Sequence, residues 1–124
     1  MSFTHDFRDL EVWQRAHALT LAIYGTTRSF PPAEKFGLTA QLRRSASSIP
    51  TNIAEGKARS GSKPFAAFVD IAAGSAAEVD YLLLLSHDLG YLATEQCEEL
   101  QSEAMRIRRM LSGLRAKLRS AEEK

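Results

Sequence analysis

Cysteine occurs once in the 124 residues, at Cys97, so no internal disulfide can staple the chain and its core has to hold it. Histidine is almost as scarce. None of His5, His17 and His87 has a glutamate three residues before it, the spacing a di-iron bundle needs, so neither a metal site nor any other cofactor is expected. No apolar run is longer than residues 81–85, against the roughly 20 residues a membrane helix requires. A membrane partner is therefore excluded from the expectations. The stretch Met1-Ser2-Phe3-Thr4-His5-Asp6 has neither the basic nor the apolar region of a secretory leader, and with the lone cysteine it leads to an expected cytoplasmic address. Alternating strand patterns, internal repeats and low-complexity tracts are missing as well.

What is present is an ordinary globular composition, 44% hydrophobic and 25% charged, enough to build one core in a chain of this length. A single domain over residues 1–124 follows. The net charge of +1 hides a division along the chain. Between residues 34 and 63, Lys35, Arg43, Arg44, Lys57, Arg59 and Lys63 face only Glu34 and Glu55, an excess of +4. Between residues 64 and 91 there is no lysine or arginine, and Asp70, Glu78, Asp80 and Asp88 give −4.

Four helical patterns divide the sequence. The first, about 9–29, repeats Trp13, Ala16, Thr20, Ile23, Tyr24 and Thr27, with Asp9 as a candidate cap and Phe30-Pro31-Pro32 as the stop. The second, about 34–59, carries Leu38, Leu42, Ser45, Ile49, Asn52 and Gly56; Pro50 inside it removes the bond to the Ala46 carbonyl and predicts a kink. The third, about 63–89, carries Phe65, Phe68, Ala72, Ser75, Val79, Leu82 and Leu89 and ends at Gly90. The small residues Ala72-Ala73-Gly74-Ser75-Ala76-Ala77 at its middle predict a close helix crossing or a subunit contact. The fourth, about 94–120, opens at Thr94 as a candidate cap and runs through Cys97, Leu100, Ala104, Ile107, Leu111, Leu114 and Leu118, with acids at its start and bases at its end as the helix dipole favours. Short loops between such helices predict an all-α, antiparallel up-down-up-down four-helix bundle.

Chemistry-bearing motifs fail on inspection. Residues 56–63 look like a phosphate-binding loop, but Ser62 stands where the lysine should be and no strand precedes it. Ser60-Gly61-Ser62-Lys63 matches a Ser-x-x-Lys acylation motif without its partner motifs. Ser48, Asn52, Glu55 and Glu78 are expected to form a structural hydrogen-bonded network between helices two and three around Pro50; a ligand site or acid–base pair is the alternative. Helix three has more apolar surface than one core covers, so Gly74, Ala77, Tyr81 and Leu84 are candidates for an interface between copies.

Several ordered motifs point to a family. Asp9-Leu10, Val12-Trp13, Phe30-Pro31, Glu34, Gly37-Leu38, Gln41-Leu42-Arg43-Arg44, Ser48-Ile49-Pro50, Asn52-Ile53-Ala54-Glu55-Gly56, Ile71-Ala72, Gly74-Ser75, Glu78 and Leu89-Gly90-Tyr91 together resemble the bacterial four-helix bundle family encoded within intervening sequences of 23S ribosomal RNA genes. The resemblance implies a non-enzymatic bundle that assembles as a homopentamer, with kinship to the basic accessory variability proteins of diversity-generating retroelements, which contact nucleic acid. This chain departs from those relatives in being nearly neutral. Two readings follow: a homo-oligomeric module whose Arg43, Arg44, Lys57, Arg59 and Lys63 contact RNA or another nucleic acid, or a protein-binding scaffold in which the −4 helix neutralises the +4 helix. What those five cations are paired with decides between them.

Overall fold

The computed structural model describes residues 6–122; residues 1–5 and 123–124 of the expected domain, and with them His5 and most of the stretch read for a leader, lie outside the described residues. The elements are a 3-10 turn at Phe7–Asp9, α1 at Glu11–Thr27, a second 3-10 turn at Pro32–Glu34, α2 at Leu38–Ala58, α3 at Ser62–Asp88 and α4 at Thr94–Glu122. No strand occurs among the described residues. Each helix packs on its chain neighbours and α1 closes against α4, while the diagonals α1–α3 and α2–α4 do not meet, so the four form a square bundle.

The core is built from Ala16, Leu19 and Ile23 of α1, Leu42, Ala46, Ile49 and Ile53 of α2, Val69, Ala72, Ala76, Val79 and Leu83 of α3, and Cys97, Leu100, Ala104, Ile107 and Leu111 of α4. The stripe of α4 is the one its sequence repeat predicts. That of α1 is rotated: Val12 and Leu19 face inward in place of Trp13 and Tyr24. Trp13 lies at the rim between Phe7, at 4.9 Å, and a stacked His17, at 5.0 Å, where its large ring is half covered. The stripe of α3 is shifted in the same way, toward Ala66, Val69, Ala76, Leu83 and Ser86, and Leu89 is exposed.

Caps differ from the expected ones. Leu10, not Asp9, precedes α1 and offers no side-chain bond. Thr94 is the first residue of α4, and its hydroxyl meets His87 Nε2 at 2.9 Å instead of closing its own helix. At α2 the proline turn and Gly37 hold Glu34 outside the helix; its Oε1 then accepts the Leu38 N–H at 3.1 Å, satisfying one of the free amides of the first turn. Gly90 ends α3 as expected: at φ 83° it lets the Tyr91 N–H reach the Ser86 carbonyl and its own N–H reach that of His87, both at 2.9 Å.

The α2 helix runs unbroken through Pro50. The carbonyl that Pro50 strips of its partner, that of Ala46, lies 3.1 Å from the Thr20 hydroxyl on α1. Both residues are buried, at 0% and 9% exposure, so the threonine replaces a bond that water cannot reach to supply. At Gly56 α3 comes close to α2, and an added Cβ would lie 2.8 Å from both Phe65 Cδ1 and Phe68 Cβ. The sequence pattern pointed to the small residues of α3 for such a crossing. Ala72 and Ala76 are indeed buried, whereas Gly74 is exposed with nothing within 4 Å of a would-be Cβ.

Candidate nucleic-acid interface

The expected polar network is smaller than its candidates. Asn52 donates to the Ser48 carbonyl at 2.8 Å and to the Ser48 hydroxyl at 3.0 Å, and that hydroxyl meets Ser75 of α3 at 2.8 Å. Glu55 and Glu78 are exposed and make no hydrogen bond or ion pair among the described residues. Glu55 lines a groove with Trp13, His17 and Pro50 on the α1 side of α2; Glu78 stands on the outer face of α3. An acid–base pair is therefore not assembled. The missing partner is Ser75, which sequence spacing had placed in the core stripe. Among the described residues no group of three or more histidine, cysteine, aspartate or glutamate side chains is placed to hold a metal ion.

The five candidate cations fall into two clusters. Arg44 points outward near the start of α2, while Lys57, Arg59 and Lys63 surround the α2–α3 turn. Thirteen residues separate Arg44 from Lys57, which at 1.5 Å per residue is about 20 Å of helix. Arg43 leans on α1: its Nε donates to the Thr27 hydroxyl at 2.8 Å, its Nη2 to the Tyr24 carbonyl at 3.2 Å, and its guanidinium lies 4.7 Å over the Tyr24 ring. Half-buried and bonded this way, it clamps two helices and keeps only its Nη1 group uncommitted. Arg59 lies 5.1 Å over Phe68.

The acids of α3 do not reach these cations. Asp70 pairs with Arg115 of α4 at 3.0 Å, Asp80 with Arg108 of α4 at 3.8 Å, and Asp88 with its neighbour His87 at 3.1 Å. The charge complement of α3 is thus α4 and not α2, although α3 packs against both. Arg44, Lys57, Arg59 and Lys63 have no acidic partner within the described chain.

Around Arg44 the structure adds residues the sequence patterns passed over. A cleft of about 440 Å³ between α1 and the start of α2 is lined by Tyr24, Lys35, Phe36, Arg43, Arg44 and Ser47, among others, and by no acid. Phe36 is 88% exposed, more than any other large apolar side chain described. Its signal in the sequence is faint: it falls off the stripe of α2 and directly before Gly37, so an irregular turn displays it. The outer face of α3 presents Ile71, Tyr81 and Leu84, at 53%, 59% and 45% exposure, in line with Gly74; Ala77 is half-buried beside them.

Among the described residues two titrating groups are shifted, Tyr91 and Cys97. The hydrogen bond from the Tyr91 hydroxyl to Glu34 Oε2, 3.0 Å, raises the phenol above its ordinary 10.0, helped by burial and by the carboxylate's charge. Burial raises the Cys97 thiol above 9.0, with Glu98, Asp80 and Asp88 adding to it. Neither arrangement activates a nucleophile.

Residues 8–113 match the family model of the 23S rRNA-intervening sequence protein. Among solved structures the chain is similar to a protein with unknown function from the S23 ribosomal protein family of Bacteroides thetaiotaomicron, with a TM-score of 0.75 and 24% identity over 83% of this chain and 96% of that one. At that identity the likeness concerns the fold. No curated protein matches.

Proposed function

We propose, from the premise that this chain belongs to the 23S rRNA-intervening sequence protein family, that it is a non-enzymatic, homo-oligomeric, cytoplasmic interaction module whose basic residues on α2 and the following turn contact RNA or another nucleic acid. The observation that carries this reading is the pairing of Asp70 and Asp80 with Arg115 and Arg108, which leaves Arg44, Lys57, Arg59 and Lys63 without acidic partners among the described residues. Self-association rests on the exposed Ile71, Gly74, Tyr81 and Leu84 of α3, with five copies as the number the family resemblance implies; kinship with the accessory variability proteins belongs to the same proposal. Repeated around a ring, a few phosphate contacts per copy add up, so a nearly neutral protomer binds measurably.

The test is fluorescence anisotropy with structured RNA and duplex DNA at about 50 and about 200 mM salt, a range over which six to ten phosphate contacts lose roughly 10³ to 10⁵ in affinity. Replacement of Arg44, Lys57, Arg59 and Lys63 by alanine abolishes binding on this reading. A protein that binds nothing at low salt sinks it, and light scattering that gives a monomer sinks the oligomer. A second reading, a protein-only scaffold, draws on the unpaired Glu78 on the outer face of α3: the cations of one copy dock there on the next. In that case replacing Arg44, Lys57, Arg59 and Lys63 by alanine dissolves the assembly, whereas on the first reading it leaves the assembly mass intact and removes only the nucleic-acid binding.

A further inference from the structure

The basic clusters at the two ends of α2 are not equivalent, because only one of them is built around an exposed aromatic ring. We propose that the cleft between α1 and the start of α2 takes single-stranded nucleic acid: an unpaired base stacks on Phe36 while the adjoining phosphates meet Lys35, Arg44 and the free Nη1 of Arg43. The proposal rests on the nucleic-acid reading above and specifies its ligand and its site.

Three observations carry it. Phe36, 88% exposed, sits in the turn before α2, where no helical stripe obliges an apolar residue to face solvent. Its ring already has the Lys35 ammonium 5.4 Å from its centroid, and Tyr24 on the same cleft carries the Arg43 guanidinium at 4.7 Å, so two aromatic rings are each accompanied by a cation. The third is charge of one sign. Lys35, Arg43 and Arg44 line the cleft with no acid, and Glu34, which precedes Lys35 in the chain, has one oxygen on the Leu38 N–H and the other on the Tyr91 hydroxyl.

An aromatic face framed by cations is the arrangement that holds single strands, since every base offers a π-face and every linkage a phosphate. A duplex keeps its bases stacked on one another and has no free face for Phe36. The volume of about 440 Å³ is in the range of ligand clefts. The cluster of Lys57, Arg59 and Lys63 has no fully exposed ring, because Phe68 beneath Arg59 and Phe7, which lines a pocket with Lys57 and Asp6, are both half-buried. That end attracts phosphates without distinguishing single from double strands.

The experiment uses the full chain, labelled oligouridine, and a duplex of the same length at about 50 mM salt. The single strand is expected to bind tighter than the duplex. Phe36→Ala should weaken single-strand binding on the order of tenfold and leave the duplex affinity and the light-scattering mass unchanged. Phe36→Trp should keep the affinity, and its added fluorescence should be quenched by the single strand. Three outcomes overturn the proposal: Phe36→Ala without effect on the single strand, equal loss for both ligands, or a fall in assembly mass, which would place the ring in a contact between copies. If binding persists in Phe36→Ala but vanishes when Lys57, Arg59 and Lys63 are replaced by alanine, this site falls and the broader nucleic-acid reading stands. If no nucleic acid binds at all, both fall.

Discussion

The bond between Thr20 and the Ala46 carbonyl makes a quantitative test of how this bundle tolerates a proline in its second helix. Thr20→Val keeps the shape and branching of the side chain and removes only the hydroxyl. The single hydroxyl proton is shared between the Ala46 carbonyl at 3.1 Å and the Ala16 carbonyl at 2.8 Å, and the latter is also served by the backbone N–H of Thr20 in the helical ladder, so it loses little. The Ala46 carbonyl has no second donor, because Pro50 has no N–H, and at 0% exposure Ala46 is closed to water. Leaving it unpaired should cost about 1 to 3 kcal/mol. With an unfolding entropy of about 2.1 cal/mol/K per residue, that lowers Tm by roughly 4 to 12 °C. Calorimetry at one fixed protomer concentration measures it, since assembly makes Tm concentration-dependent. The decisive step is the double-mutant cycle with Pro50→Ala, which restores an N–H to the Ala46 carbonyl. In that background Thr20→Val should cost less by on the order of 1 kcal/mol, and equal costs in the two backgrounds would refute the compensation.

Gly56→Ala should destabilise by about 1 to 3 kcal/mol because its methyl meets Phe65 and Phe68, as a denaturant midpoint will show. Gly74→Ala should instead stabilise the protomer by up to about 1 kcal/mol through helix propensity, and any loss of assembly mass in that variant marks Gly74 as an interface residue. Tyr91 has a folded pKa raised above its unfolded value, so its contribution is fully present below pH 10.0 and is lost as pH rises through the higher folded value; Tyr91→Phe should flatten that alkaline fall in a pH series of melts. Cys97, 4% exposed and with its thiol raised, should react with a thiol reagent only at the rate of opening, and rapid labelling of the native protein would contradict its place in the core.

The features legible in the sequence are those that depend on local periodicity. Helix number and order, the Gly90 stop, the clean stripe of α4 and the absence of strands all follow from spacing that a helix imposes wherever it sits. Boundaries are less legible where a side chain serves another element: Glu34 has the spacing of a first turn of α2 and is its external cap, and Thr94 has the chemistry of a cap and binds His87. The places of Trp13, Tyr24 and Phe36 are not legible, because hydrophobicity alone does not say whether an aromatic ring lies in the core or at its rim.

Composition and period are properties of the chain alone, so four amphipathic helices with a positive second and a negative third segment can be read directly from the residues. Which charges meet is a matter of packing. Asp70 and Asp80 turn to α4 and not α2, Arg43 becomes a clamp on Thr27 and Tyr24, and Glu55 and Glu78 stay apart. Such pairings depend on the rotation of each helix about its axis, and at about 100° per residue a shift of a single position turns a side chain from one neighbour to another.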